Sequence, residues 1–129
     1  MSWPSSTYTK HTSRLAQSLV IPNGTSVSAS IDLDGSALIG FGLIATQTWT
    51  TAALTIEVSS NNTDWLTAVN DATGLTAGSY PSITPGTGYA VDALTFLPWR
   101  YARLRSGTSA SPVNQGADRT FTVVTRPLA

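Results

Sequence analysis

Cysteine is absent from this 129-residue chain, which removes disulfides, thiolate metal sites and cysteine nucleophiles at once. Lysine and glutamate occur once each, and seven basic side chains balance seven acidic ones. A neutral chain in which only 11% of residues are charged has no long-range field to gather polyanions. Nucleic acid, whose binding rests on many phosphate contacts, is therefore not an expected partner. Histidine also occurs once, at His11, so no second imidazole is at hand for a metal, and no Gly-x-Ser-x-Gly elbow marks a nucleophile. The Asp32-Leu33-Asp34-Gly35 stretch fails the spacing of a calcium loop, because the twelfth position from Asp32 is Leu43, and it reads as a turn. The longest apolar run, Ala37 to Ala45, is too short to cross a bilayer. The polar start, MSWPSSTYTKHTSR, lacks the apolar core of a secretory signal. The expectation is a protein made and folded in a cytoplasm, not an enzyme, with neither metal nor cofactor and no membrane partner.

Hydroxyl side chains fill the space that charge leaves: serine and threonine together make up 36 of the 129 residues. Threonine favours strands, whereas serine, glycine, asparagine and proline favour turns. The chain reads accordingly. Arg14 to Ile21 forms a strand, and Asn23-Gly24 a tight turn. In SVSASIDL, Val27, Ala29, Ile31 and Leu33 alternate with Ser26, Ser28, Ser30 and Asp32, so the apolar set faces inward. In the next strand Ile39, Phe41, Leu43 and Ala45 share one face, and Gly40 and Gly42 on the other leave room for a close neighbour. LTIEVSS turns Leu54, Ile56 and Val58 inward, and the polar tip NNTD precedes Trp65. LTAV, YAVD, LTFL, YARLRS and RTFTVVTR complete about eight short strands, and no segment holds a helical period. The predicted fold is all-β, a single jelly-roll-like sandwich over residues 13–129, preceded by an extended arm over residues 1–12.

Four of the seven positive charges fall between Pro98 and Thr120. Alternation puts Ala102 and Leu104 on the core face and Tyr101, Arg103 and Arg105 on the other, with Arg100 at the start of the strand. Such arginines find acids on a polar sheet face, with Glu57, Asp92 and Asp118 as the candidates, or they form a contact surface with Tyr101.

LTIEVSSNNTDWLTAV followed by WRYARLR is similar to the discoidin-like, or galactose-binding-like, β-sandwich, although Asn61-Asn62-Thr63-Asp64 replaces its Asp-Gly tip. From Leu19 onward the chain resembles a family of small proteins of tailed bacteriophages and prophages. LRSGTSASPVNQGADRT is the most specific portion of that likeness. The resemblance implies a virion component. The expected function is a capsid decoration protein, held non-covalently on the major capsid protein or on neck proteins, and homo-oligomeric on the particle.

The candidate contact residues are Trp3, Pro4 and Tyr8 of the arm, Tyr101, Arg103 and Arg105 of the strand, and Pro112, Asn114 and Gln115 of the long loop Ser106 to Asp118. An arm with two aromatic rings has little use for them unless it docks. The loop is long, small and polar, which suits packing on another protein. The alternative function is a carbohydrate-binding module of a neck or tail fibre, with Trp49 and Tyr80 as the sugar-stacking rings.

Overall fold

A computed structural model describes residues 15–68, 79–91, 96 and 98–127. They form nine strands in chain order: β1 Leu15–Ile21, β2 Ile31–Asp32, β3 Ser36–Leu43, β4 Leu54–Ser59, β5 Leu66–Thr67, β6 Ser79–Tyr80, β7 Tyr89–Ala90, β8 Tyr101–Ser106 and β9 Arg119–Pro127. One sheet has the order β1-β9-β3-β7 and the other β2-β8-β4-β5, with β6 also paired to β4. Every strand pair is antiparallel. The two sheets enclose a core led by Phe96, Phe121, Ile21, Leu54, Ile56 and Leu104, each at most 1% exposed. The protein is the all-β sandwich that the alternating pattern predicts. Of the expected strand LTFL only Phe96 is described, and there the expectation is corrected: it is fully buried, but its backbone is helical rather than extended.

Two predicted phases slip, for local reasons. Only Ile31 and Asp32 of SVSASIDL form a ladder, while Val27 makes an isolated bridge to Arg105. Ser28 is buried and Ala29 exposed, the reverse of the alternation. The Ser28 hydroxyl explains this: it accepts the Leu104 N–H at 2.9 Å and donates to the Ala29 carbonyl at 2.8 Å. A side chain that takes a ladder position shifts the strand by one residue. In β3 the register against β9 jumps between Leu38 and Gly40. The bulge turns Leu38 inward in place of Ile39, while Phe41 and Leu43 keep the predicted face; Ala45, beyond the strand, is exposed.

The close neighbour expected over the β3 glycines is the chain from Thr87 to Tyr89. A Cβ on Gly42 would sit 2.7 Å from the Thr87 carbonyl oxygen, and one on Gly40 3.2 Å from that of Tyr89. Along the open side of the sandwich Phe41 stacks on Tyr89 at 5.2 Å and meets Tyr80 edge-on at 5.1 Å. Tyr80 belongs to one sheet and Tyr89 to the other, so this aromatic cluster closes the gap between the layers.

Candidate interaction surfaces

β4 has no exposed face. Leu54, Ile56 and Val58 fill the core as predicted, yet Thr55, Glu57 and Ser59 are also at most 2% exposed. On this outer side Glu57 lies directly opposite Arg103 in the β4–β8 ladder, with Arg105 one step along the same face. Arg103 Nε donates to Glu57 Oε1 at 2.8 Å, and Arg105 Nε donates to Oε2 at 2.7 Å. Arg105 also donates to Ser26 Oγ, and the Arg103 guanidinium lies 4.3 Å from the centre of the Trp65 ring. The polar hairpin tip holds Trp65 there: Asn61 Oδ1 accepts the N–H groups of Thr63 and Asp64, both at 2.9 Å. The arginine stems and the indole thus close over the carboxylate. Of the three acids considered for these arginines, Glu57 serves both. Asp118 instead accepts the Asn23 N–H at 2.7 Å, and Asp92 lies outside the described residues.

Arg100 finds a partner the alternation did not suggest, Asp32 on β2, through bonds of 3.2 and 3.1 Å. The Arg100 hydrogen bond holds the Asp32 carboxyl below its ordinary value. Both groups are exposed, so solvent screens the pair. A lowered folded-state pKa stabilises the protein above the ordinary carboxylate range, and that contribution fades as pH falls through the lowered value. Asp32→Asn is therefore expected to leave the urea midpoint at pH 7 nearly unchanged and to flatten slightly its decline in acid.

The long loop after β8 is organised from within. Gln115, expected beside Pro112 and Asn114 as a contact residue, is 1% exposed and points inward. Its amide oxygen accepts Thr50 N–H and Arg119 Nε, both at 3.0 Å, and its amide nitrogen donates to Ser106 Oγ at 2.7 Å and to the Thr50 carbonyl at 3.1 Å. This inward turn corrects the surface assignment: a side chain with four hydrogen bonds to three residues has nothing left for another molecule. Arg119, also buried, donates onward to the hydroxyls of Thr48 and Thr50. Pro112 and Asn114 remain exposed on the loop.

Gly107 begins the loop with a φ of +83°. A Cβ there would meet the Ser111 carbonyl oxygen and lie 2.8 Å from the Val113 nitrogen. Gly107→Ala is expected to lower stability by at least about 2 kcal/mol, read from urea denaturation, because neither the dihedral nor the backbone contacts can relax cheaply.

Trp49 and Tyr80 are half-buried and pack on core rings. Trp49 meets Phe121 edge-on at 5.8 Å, and its indole N–H donates to the Ala52 carbonyl at 3.1 Å. Burial raises the Tyr80 hydroxyl above its ordinary pKa. Tyr101 is half-buried beside Arg100, whose guanidinium lies 5.4 Å from its ring centre. Trp3, Pro4 and Tyr8 lie outside the described residues. Among the described residues, no three acids, histidines or cysteines gather in a way that could hold a metal ion, and no helix is long and apolar enough to cross a membrane.

The outer face of the β1-β9-β3-β7 sheet has a different character. Across the strands, the register lines up Ala16, Val124, Gly40 and Ala90 in one row and Ser18, Thr122 and Gly42 in the next. A shallow groove of about 540 Å³ runs over Gly40 and Gly42, walled by Thr87 to Ala90 on one side and Thr122 and Val124 on the other. None of its lining residues is charged.

No protein-family model matches this chain, and no curated protein matches it in sequence. Among solved structures it is similar to the SPBc2 prophage-derived protein YomS, with a TM-score of 0.56 over 88% of this chain and 94% of that one. The two chains share a fold. At 8% identity the likeness to YomS is one of architecture. It reaches nearly end to end in both chains, so the sandwich described above accounts for almost all of YomS as well.

Proposed function

We propose that this chain is a structural component of a tailed-phage particle, bound non-covalently to the capsid as a decoration protein. The observation that carries the reading is the architecture shared with a prophage-derived protein over nearly the whole of both chains. The chemistry of the surface supports it. Two buried polar side chains are engaged within the sandwich: Glu57 with two arginines, Gln115 in four hydrogen bonds to three residues. The groove over Gly40 and Gly42 is neutral and small-featured, suited to packing rather than to chemistry. Its partners in this reading are the major capsid protein or neck proteins, and its place is the virion. Contacts that are individually weak become sufficient when a symmetric shell repeats them.

Purified particles provide the test. The protein is expected to co-purify with them in a fixed ratio to the capsid protein, and labelled copies should map to the head surface in electron micrographs. A chain lacking residues 1–12 is expected to be recovered folded but absent from particles, since this reading assigns the arm to attachment. Absence of the full chain from purified particles would overturn the assignment. Normal incorporation of the shortened chain would overturn the role of the arm.

A further inference from the structure

A sandwich of two open sheets has edges, and exposed edges invite other strands unless they are short, charged, interrupted or covered. Three edge positions here are protected by brevity. β2, at one edge of its sheet, has two residues and is flanked by the Asp32–Arg100 ion pair. β5 and β6, which share the opposite side of β4, have two residues each. β7, at one edge of the other sheet, also has two.

β1 departs from this pattern. It is seven residues long, pairs with β9 in unbroken register, and contains no charge, proline or bulge in Leu-Ala-Gln-Ser-Leu-Val-Ile. Ala16, Gln17 and Ser18 are exposed. Among the described residues, β1 hydrogen-bonds to β9 alone, and no described strand occupies the other side of its backbone.

We propose that β1 is the pairing edge for β1 of a second copy of this chain, antiparallel about a two-fold axis at Ser18. The sequence of the strand is complementary to itself in that register. Ser18 faces its own copy, Gln17 faces Leu19, Ala16 faces Val20 and Leu15 faces Ile21. No charges meet, and the smallest polar side chain of the strand sits at the axis. Ala16 and Val20 then meet across the axis on the outer face, extending the row of small neutral residues through Val124 and Gly40 into the second copy. The paired sheets become one eight-stranded layer whose outer strands are the two-residue β7 of each copy. The proposal goes beyond the virion reading and is tested on isolated protein, so either can fail alone.

The cysteine-free sequence allows a direct test. In the pair, the two Ser18 Cβ atoms come within about 4.5–5.5 Å, close to disulfide reach. Under mild oxidation, Ser18→Cys is expected to form a covalent dimer at least about ten-fold faster than Ser60→Cys at the exposed hairpin tip, since pairing raises the local concentration of one thiol beside the other. Hydrogen exchange at the β1 amides of the unmodified chain should slow as protein concentration rises. Ser18→Lys, which opposes two ammonium groups at the axis, should abolish that concentration dependence without moving the denaturation midpoint measured at low protein concentration, where the pair is dissociated. Equal cross-linking of the two cysteine variants would overturn the proposal. So would β1 protection that is independent of concentration, because the edge would then be covered by its own chain.

Discussion

Glu57→Gln is expected to destabilise the protein by about 3–5 kcal/mol, the cost of breaking a buried ion pair from one side. The carboxylate is 2% exposed and receives one arginine on each oxygen, so an amide in its place keeps one acceptor and turns a donor toward the other guanidinium. One arginine then loses its partner while its stem remains packed under Trp65 or against Ser26. The size of the effect does not mean that the cluster is a large net source of stability. Replacing all three charges together, as in Glu57→Leu, Arg103→Leu and Arg105→Met, is expected to recover most of the loss, because desolvation and attraction nearly cancel in such groups. Urea denaturation of the single and triple variants separates the two statements. If Glu57→Gln alone costs no more than the exposed Asp32→Asn, the closed carboxylate described above is not formed in solution.

Gln115→Ala is the second large effect, about 3–4 kcal/mol, from four lost hydrogen bonds and a small cavity. The truncation leaves the Arg119 Nε, the Ser106 hydroxyl and both backbone groups of Thr50 without their partner. Gln115→Glu is not expected to rescue it, even though a carboxylate suits Arg119. The second carboxylate oxygen would face the Thr50 carbonyl, where the amide now donates. The accompanying signature is hydrogen exchange: amides of residues 106–118 should exchange faster in Gln115→Ala, while those of β4 should change only in step with global stability.

The two clusters were unequally legible. Alternation places Arg103 and Arg105 on one face and Ala102 and Leu104 on the other, and the single glutamate, at an outward position of a neighbouring strand, was open to discovery from the sequence. What alternation cannot convey is closure, since the burial of Glu57 depends on arginine stems and an indole arriving from three segments. Gln115 had no signal at all. It lies in a loop, where polarity reads as exposure, and its inward turn follows from contacts with Thr50 and Ser106 that only the assembled sandwich creates. The same limit explains Ser28, whose hydroxyl competes with the ladder and displaces the strand by one residue. Apolar positions were easier: the residues assigned inward in β4 and β8, at period-two spacing, are buried because any sandwich must bury them. The outer face of the first sheet was half-readable, through two glycines that required a close neighbour.

One feature of the topology governs how the protein comes into being. β9, the last strand, lies between β1 and β3 and supplies the pairing for both. Until residue 119 leaves the ribosome, β1 lacks the strand it pairs with among the described residues, and at about 5–20 residues per second that interval lasts several seconds. Closure of the β1-β9-β3 ladder therefore waits for β9, and such distant strand pairs belong to the slow regime of folding. During that interval the uncharged β1 segment, with Leu19, Val20 and Ile21, is without the strand it pairs with.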